Sequence, residues 1–245
     1  MSDLIELMQE LGVGAQAVRA SVSRLKKRGF LLNERIGGIA GYRLTPQAEA
    51  ILARGDRRIY RSWQQAREAD WIVVVFSVPE SERERRHVLR SRLSWLGFGN
   101  AAPGVWVAPP HLEEEAREMI EAEGLTAYVS LFRSRYVGFT AINDAAARWW
   151  DLRALEKLYD EFVEAYAPMA KRHSRPSGID PAAAFADYVH VLTYWRVLPF
   201  LDPGLPPEML PDDWSGERAT ALFMKLHTKL SGPALQHVRQ VIERS

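Results

Sequence analysis

The sequence predicts an α+β fold in three parts: an N-terminal winged helix-turn-helix over residues 1–62, a central ferredoxin-like (βαββαβ) domain over 63–142, and a C-terminal α-helical domain over 143–245. Three observations predict it. Two short amphipathic patterns and a glycine-rich hairpin open the chain, and a middle stretch then alternates β-branched runs with helical ones. Beyond that, aromatic and aliphatic residues recur at helical spacing around a proline-dense stretch.

The bulk composition sets the bounds. A chain of 245 residues is long enough for two or three compact units. Its 47% hydrophobic and 26% charged residues are the balance of a globular protein, so disorder is not expected. The absence of cysteine excludes disulfides, thiolate zinc sites and sulfur nucleophiles, and suits the cytoplasm. Met1 to Glu10 carry acidic groups where a signal peptide would be basic and then apolar, and no run approaches the ~18 apolar residues of a membrane span. Secretion and membrane insertion are therefore not expected.

The net charge of +1 hides an asymmetry, because residues 1 to 61 hold eleven Lys and Arg against six Asp and Glu. A basic head on an acidic body suits a protein that offers one surface to phosphate.

In the head, Leu4, Leu7, Met8 and Leu11 line one face of a short helix ended by Gly12 and Gly14. A second helix from Ala15 to Arg28 turns Ala15, Val18, Val22 and Leu25 inward. Gln16, Ala20, Ser23, Arg24 and Lys27 then point outward, with Arg19 and Lys26 flanking them. Two helices separated by a three-residue turn, the second basic on its outer face, describe a helix-turn-helix, and Gly29 stops the second. Phe30 to Arg35 and Tyr42 to Leu44 read as the two strands of a wing around Gly37, Gly38 and Gly41. On this reading Gln16, Arg19, Ser23, Arg24 and Lys27 face the major groove of double-stranded operator DNA, and Arg35 and Arg43 approach phosphates beside it. A winged helix ordinarily packs an earlier helix against these two, and only three residues precede Leu4. Either the chain begins late, or another chain or domain covers their exposed side.

In the middle, Trp71 to Val78 is a continuous run expected of a strand covered on both faces, and Pro79 closes it. Ser81 and Glu84 form a capping-box pattern for a helix to Leu96 that turns Val88, Leu89, Leu93 and Leu96 inward. Gly104 to Ala108 follows as a strand, Leu112 to Glu123 as a helix and Thr126 to Phe132 as a further strand. Arg83, Arg85, Arg86, Arg90 and Arg92 crowd the first helix beside Glu80, Glu82 and Glu84, which reads as a solvated face.

Asp144 to Ala167 is predicted as one long helix, Arg172 to Pro181 as a loop and Ala182 to Val197 as a helix. Five prolines between Pro199 and Pro211 then impose an extended connector. A further helix carries Ala219, Leu222, Phe223, Leu226 and Leu230, and Pro233 is expected to start the last one.

Taken together, VRASVSRLKKRGFL and YRLT in the head, WIVVVFSVPESER and LGFGNAAPGVWVAP in the middle, and YWRVLPFLDPGLPPEMLPDDWSG near the end resemble the PaaX family of phenylacetate-degradation repressors. The likeness spans nearly the whole chain. It implies a homodimeric repressor released from its operator by an aryl-CoA thioester such as phenylacetyl-CoA, with no other cofactor. It places Arg19, Ser23 and Arg24 on the recognition helix and Tyr42 and Arg43 at the end of the wing. Family members usually carry a further segment before the helix-turn-helix. The wing also reads GGIAGY where a basic residue is usual, so fewer phosphate contacts are expected.

For the effector, Trp106, Arg133, Tyr194, Trp195 and Arg196 are candidates by residue type alone, since an aryl group needs apolar walls and CoA phosphates need cations. No catalytic or metal site is expected. The six histidines lack metal-ligand spacing, and Gly-x-Ser-x-Gly and Walker-type loops are missing. The middle domain is also similar to CRISPR-associated integration nucleases, which place an acidic residue at the end of the first strand. Here that strand ends Phe76, Ser77, Val78. The rival reading is an enzyme acting on a CoA thioester, or an aryl-CoA-binding module without DNA.

Overall fold

The computed structural model describes residues 1–36, 38–60, 70–173 and 178–244. They form, in chain order, α1 (Ser2–Glu10), α2 (Ala15–Lys27), β1 (Leu31–Ile36), β2 (Ile39–Leu44), α3 (Pro46–Tyr60), β3 (Asp70–Phe76), α4 (Arg83–Trp95), β4 (Gly99–Ala102), β5 (Val105–Ala108), α5 (Glu113–Ala122), β6 (Val129–Arg135), α6 (Ile142–Trp149), α7 (Leu152–Arg172), α8 (Pro181–Trp195), α9 (Leu198–Leu201) and α10 (Ser215–Glu243). The architecture is mixed α and β, with a two-stranded and a four-stranded sheet. The chain divides into two compact units, one of residues 1–61, 165–194 and 221–245, the other of 62–164 and 195–220.

In the first unit, α1 ends where Gly12 takes φ 77°, and its amide and that of Val13 return to Gln9 and Met8. α2 then starts at Ala15 and buries Val18 and Val22, while Leu25 is left partly exposed. The β1–β2 hairpin is longer and tighter than the sequence suggests, its strands running from Leu31 and to Leu44 with Ile36 opposite Ile39. Gly37 lies outside the described residues. α3 was not foreseen. Buried Thr45 starts it, accepting the Ala48 N–H at 3.2 Å and donating to the Gly29 carbonyl at 2.8 Å, so one hydroxyl joins the end of α2 to the start of α3.

The open side of α1 is covered by the chain itself. Leu7 is buried with Phe185 of α8 and Ala234 and Val241 of α10, with Leu11, Tyr188, Val189 and Val238 packed around them. The carboxylate of Glu10 meets Nε2 of His237 at 2.7 Å on the same contact.

In the second unit the four strands are antiparallel in the order β4-β5-β3-β6. Alternation sends Ile72, Val74, Phe76, Trp106 and Ala108 to one face, where Leu89 and Leu93 of α4 and Ala116 and Ile120 of α5 complete the core. Trp71 and Val107 on the other face pack with Ala146, Trp150, Leu152 and Leu205. Both faces of β3 are thus covered, as its unbroken apolar run predicts, although Val75 and Phe132 stay 38% and 53% exposed.

Several elements differ from expectation. Ser81 and Glu84 form no capping box. Residues 80–82 make a single 3₁₀ turn after Pro79, and α4 starts behind Glu82 without a side-chain cap. Glu82 instead accepts from the Tyr128 hydroxyl at 2.7 Å and from Arg85 at 2.6 Å. Thr126 to Tyr128 is another 3₁₀ turn, and the strand after it runs to Arg135. The helix expected from Asp144 to Ala167 is two helices broken at Trp150, where Asp151 takes over as cap for the Ala154 N–H at 3.0 Å. Finally, Pro233 does not start a helix but lies inside α10. Its ring removes only one N–H bond, and the buried side chains on both sides of it hold the helix through the gap.

Candidate nucleic-acid interface

All five predicted groove-facing residues of α2, Gln16, Arg19, Ser23, Arg24 and Lys27, are exposed. Gln16, Ser23, Arg24 and Lys27 occupy the side opposite buried Val18 and Val22, with Arg19 at its flank. No acidic residue lies on α2, and Arg24, Lys26 and Lys27 fall in its last turn, where the partial negative charge of the helix end favours cations. Arg24 Nη2 donates to Ser21 Oγ at 2.8 Å, a neutral partner, and Arg24 makes no ion pair among the described residues.

The hairpin sorts the remaining candidates by strand alternation. Tyr42 pairs with Asn33 and Arg35 with Ala40, so Tyr42, Arg35 and Asn33 share one face. Arg43 pairs with Leu32 and therefore belongs to the other face, where it lies 3.9 Å from the Glu34 carboxylate. Lys26 Nζ sits 5.5 Å from the centre of the Tyr42 ring, which ties the basic helix to the Tyr42 face. The structure therefore brings Arg35 and Tyr42 together with α2 and sets Arg43 on the reverse side. Lys26, expected only to flank the outward face of α2, joins the assembled surface over the ring, and Asn33 joins it without having been singled out. Period-two alternation from Arg35 along β1 would have found Asn33; nothing local in the sequence places Lys26 over a ring.

Of the five effector candidates, Trp106 lies on β5, Arg133 on β6, and Tyr194, Trp195 and Arg196 are consecutive around the end of α8. Trp106 is 6% exposed within the sheet–helix core, and its Nε1 has no hydrogen-bond partner among the described residues. Arg133 is exposed and bonds the Glu113 carboxylate at 2.7 Å. Arg133 and Arg117 hold the Glu113 carboxyl below its usual pKa, chiefly by those hydrogen bonds. Trp195 is buried against Tyr159 and Phe162, with ring centres 6.2 and 5.1 Å away, and Arg196 is exposed. Tyr194 is half-buried, edge-on to Tyr166 at 5.8 Å. Among the described residues no group of His, Asp and Glu is placed to hold a metal ion, and no helix is long and apolar enough to cross a membrane.

Three family models match consecutive parts of this chain: PaaX-like protein over residues 1–48, the PaaX protein central Cas2-like domain over 64–146, and the PaaX-like protein C-terminal domain over 150–240. The chain belongs to the PaaX family. Its similarity to Transcriptional repressor PaaX of Escherichia coli (strain K12) is 24% identity over 249 residues, covering 100% of this chain and 78% of that protein. Among solved structures, Uncharacterized protein Rv0674 from Mycobacterium tuberculosis superposes with a TM-score of 0.58 at 23% identity, covering 95% of this chain and 88% of that one. That likeness establishes a shared fold. The sequence reading and the family models agree on the assignment, and the curated relative is a regulator of transcription.

Proposed function

We propose that this chain is a cytoplasmic, DNA-binding transcriptional repressor that acts as a homodimer and is released from its operator by an aryl-CoA thioester such as phenylacetyl-CoA. The observation that carries DNA binding is the acid-free, exposed face of α2, joined by Lys26 and Tyr42 to one face of the hairpin. This supports a winged helix-turn-helix reading, with α2 as the helix that enters the major groove and the hairpin beside it as the wing. The strand order β4-β5-β3-β6 around α4 and α5 supports a ferredoxin-like reading of residues 63–142, with 143–245 as the helical regulatory part.

In this mechanism Arg19 and Arg24 approach bases or phosphates, while Lys27 and Arg35 add charge that counts through released counterions. Two copies hold two such helices at a fixed separation, which an inverted repeat matches. A ligand lowers DNA affinity only to the extent that it prefers a different arrangement of the dimer. The chain therefore acts as a sensor that binds the thioester and leaves it intact.

The test is a gel-shift titration with the DNA upstream of the gene itself, with and without phenylacetyl-CoA. Arg19→Ala and Arg24→Ala should each weaken binding by about 1–3 kcal/mol and flatten its salt dependence. Unchanged binding in both variants would remove α2 from the interface. Hydrolysis of the thioester by the purified protein would replace the sensor reading with a catalytic one.

A further inference from the structure

The junction of α6 and α7 carries a cavity that none of the five effector candidates lines. Between these helices the chain turns at Trp150, whose backbone is extended at φ −120° and ψ 144°. The Trp150 indole points inward, 8% exposed, and donates from Nε1 to the Gly97 carbonyl at 2.8 Å. It lies flat on Gly99, where a Cβ would stand 2.6 Å from the ring, so glycine is required there. Asp151 then fixes the first turn of α7 through the Ala154 N–H. Trp149, its neighbour, is left half-buried, with Trp71 and Tyr136 meeting its ring edge-on at 6.1 and 5.5 Å.

Met209 to Pro211, from the proline-dense stretch, close the opposite wall. The space between is about 570 Å³, within the ~300–1,000 Å³ of small-molecule sites. Its apolar lining includes Trp149, Met209 and Leu210, and its cations are Arg148 and Arg153, both exposed. Arg148 donates to the neutral Thr140 hydroxyl at 2.9 Å, and Arg153 makes no ion pair among the described residues. Two acids, Asp144 and Asp151, also line it, and Asp151 already holds the start of α7. Two guanidinium groups without carboxylate partners beside an anchored aromatic wall fit a ligand that is apolar at one end and anionic at the other.

We propose that this cavity takes the aryl-acyl group of an anionic ligand, its ring against Trp149, Met209 and Leu210 and its anionic oxygens on Arg148 and Arg153. This deepens the ligand-controlled reading above and rests on it. A free arylcarboxylate presents its carboxylate to the arginines; its CoA thioester presents a neutral carbonyl at the same place, with the phosphates carried beyond the pantetheine arm.

The test uses the full chain. Calorimetric titrations with phenylacetate, phenylacetyl-CoA and CoA alone are compared for the wild type, Ala147→Trp and Arg153→Met, each variant first checked for an unchanged melting curve. Ala147 lines the cavity from an exposed position on α6, so a tryptophan there fills the cavity without entering the core. The aryl ligand should bind the wild type and weaken about tenfold or more in each variant, as expected on losing a desolvated apolar wall or a charge-assisted bond. Binding of phenylacetate would identify the carboxylate as the group the arginines hold, and binding of phenylacetyl-CoA alone would identify the thioester carbonyl in its place. Wild-type affinity in both variants would overturn this location while leaving ligand control of DNA binding intact. Failure of all three probes on the wild type would overturn both.

Discussion

Lys26 over the Tyr42 ring is a contact between two residues sixteen positions apart, and it joins the basic helix to one face of the hairpin. The attraction needs the ring and not the hydroxyl. Tyr42→Phe should therefore keep operator affinity, whereas Tyr42→Ala should lower it by about 0.5–1 kcal/mol, both read by fluorescence anisotropy at fixed salt. Equal losses in the two variants would assign the effect to the hydroxyl. Alternation also ranks the two hairpin arginines. Arg35 shares the Tyr42 face, while Arg43 lies on the reverse beside Glu34, so Arg35→Ala should weaken DNA binding more than Arg43→Ala. The outward residues of α2 were readable from a 3.6-residue period alone. The division between Arg35 and Arg43 was not, because it depends on register, and the placement of Gly37 to Gly41 leaves register open by one residue.

At the scale of elements, legibility followed the source of each element's stability. β3 reads directly from WIVVVF because it is buried on both faces. β4 is Gly-Asn-Ala-Ala, with no β-branched residue. It is a strand because β5 pairs with it and because the Trp150 ring lies against Gly99, and neither fact is local. The break between α6 and α7 is hidden for the same reason: the apolar period runs on through Trp149 and Leu152, while the indole of Trp150 turns back to Gly97. For α3 the sequence offers only Thr45 followed by Pro46 as a start signal, directly after the strand ending at Leu44. Thr45→Ala removes both the cap on Ala48 and the bond to Gly29, and should destabilise the protein by about 1–2 kcal/mol in urea titration. A cost near zero would mean that α3 is held by packing alone.

For the whole molecule, the covering of α1 by α8 and α10 makes the head and the C-terminal helices one packed unit, so its stability should report on residues far apart in the chain. Tyr60 at the end of α3, Tyr188 on α8 and His227 on α10 form one chain of contacts, with the two hydroxyls 3.2 Å apart and the Tyr188 hydroxyl 2.8 Å from His227 Nδ1. Burial pushes the Tyr188 phenol far above its usual pKa, with the Tyr60 hydrogen bond and the nearby Asp56 adding to the shift. It therefore stays protonated and can donate to a neutral imidazole. Burial also lowers the His227 pKa below the usual 6.5. Between those two values the unfolded chain binds more protons than the folded one. The stabilisation is fully present above pH 6.5 and is lost as pH falls through 6.5 toward the folded-state value. Every group whose proton binding differs between the folded and unfolded chain adds to a single pH profile, so the informative quantity is a difference between two proteins. His227→Gln keeps an acceptor for Tyr188 but cannot be protonated. Its urea midpoint should fall less than that of the wild type between about pH 7.5 and pH 5.5. Parallel pH profiles would show that protonation of His227 does not strain the contact between α3, α8 and α10.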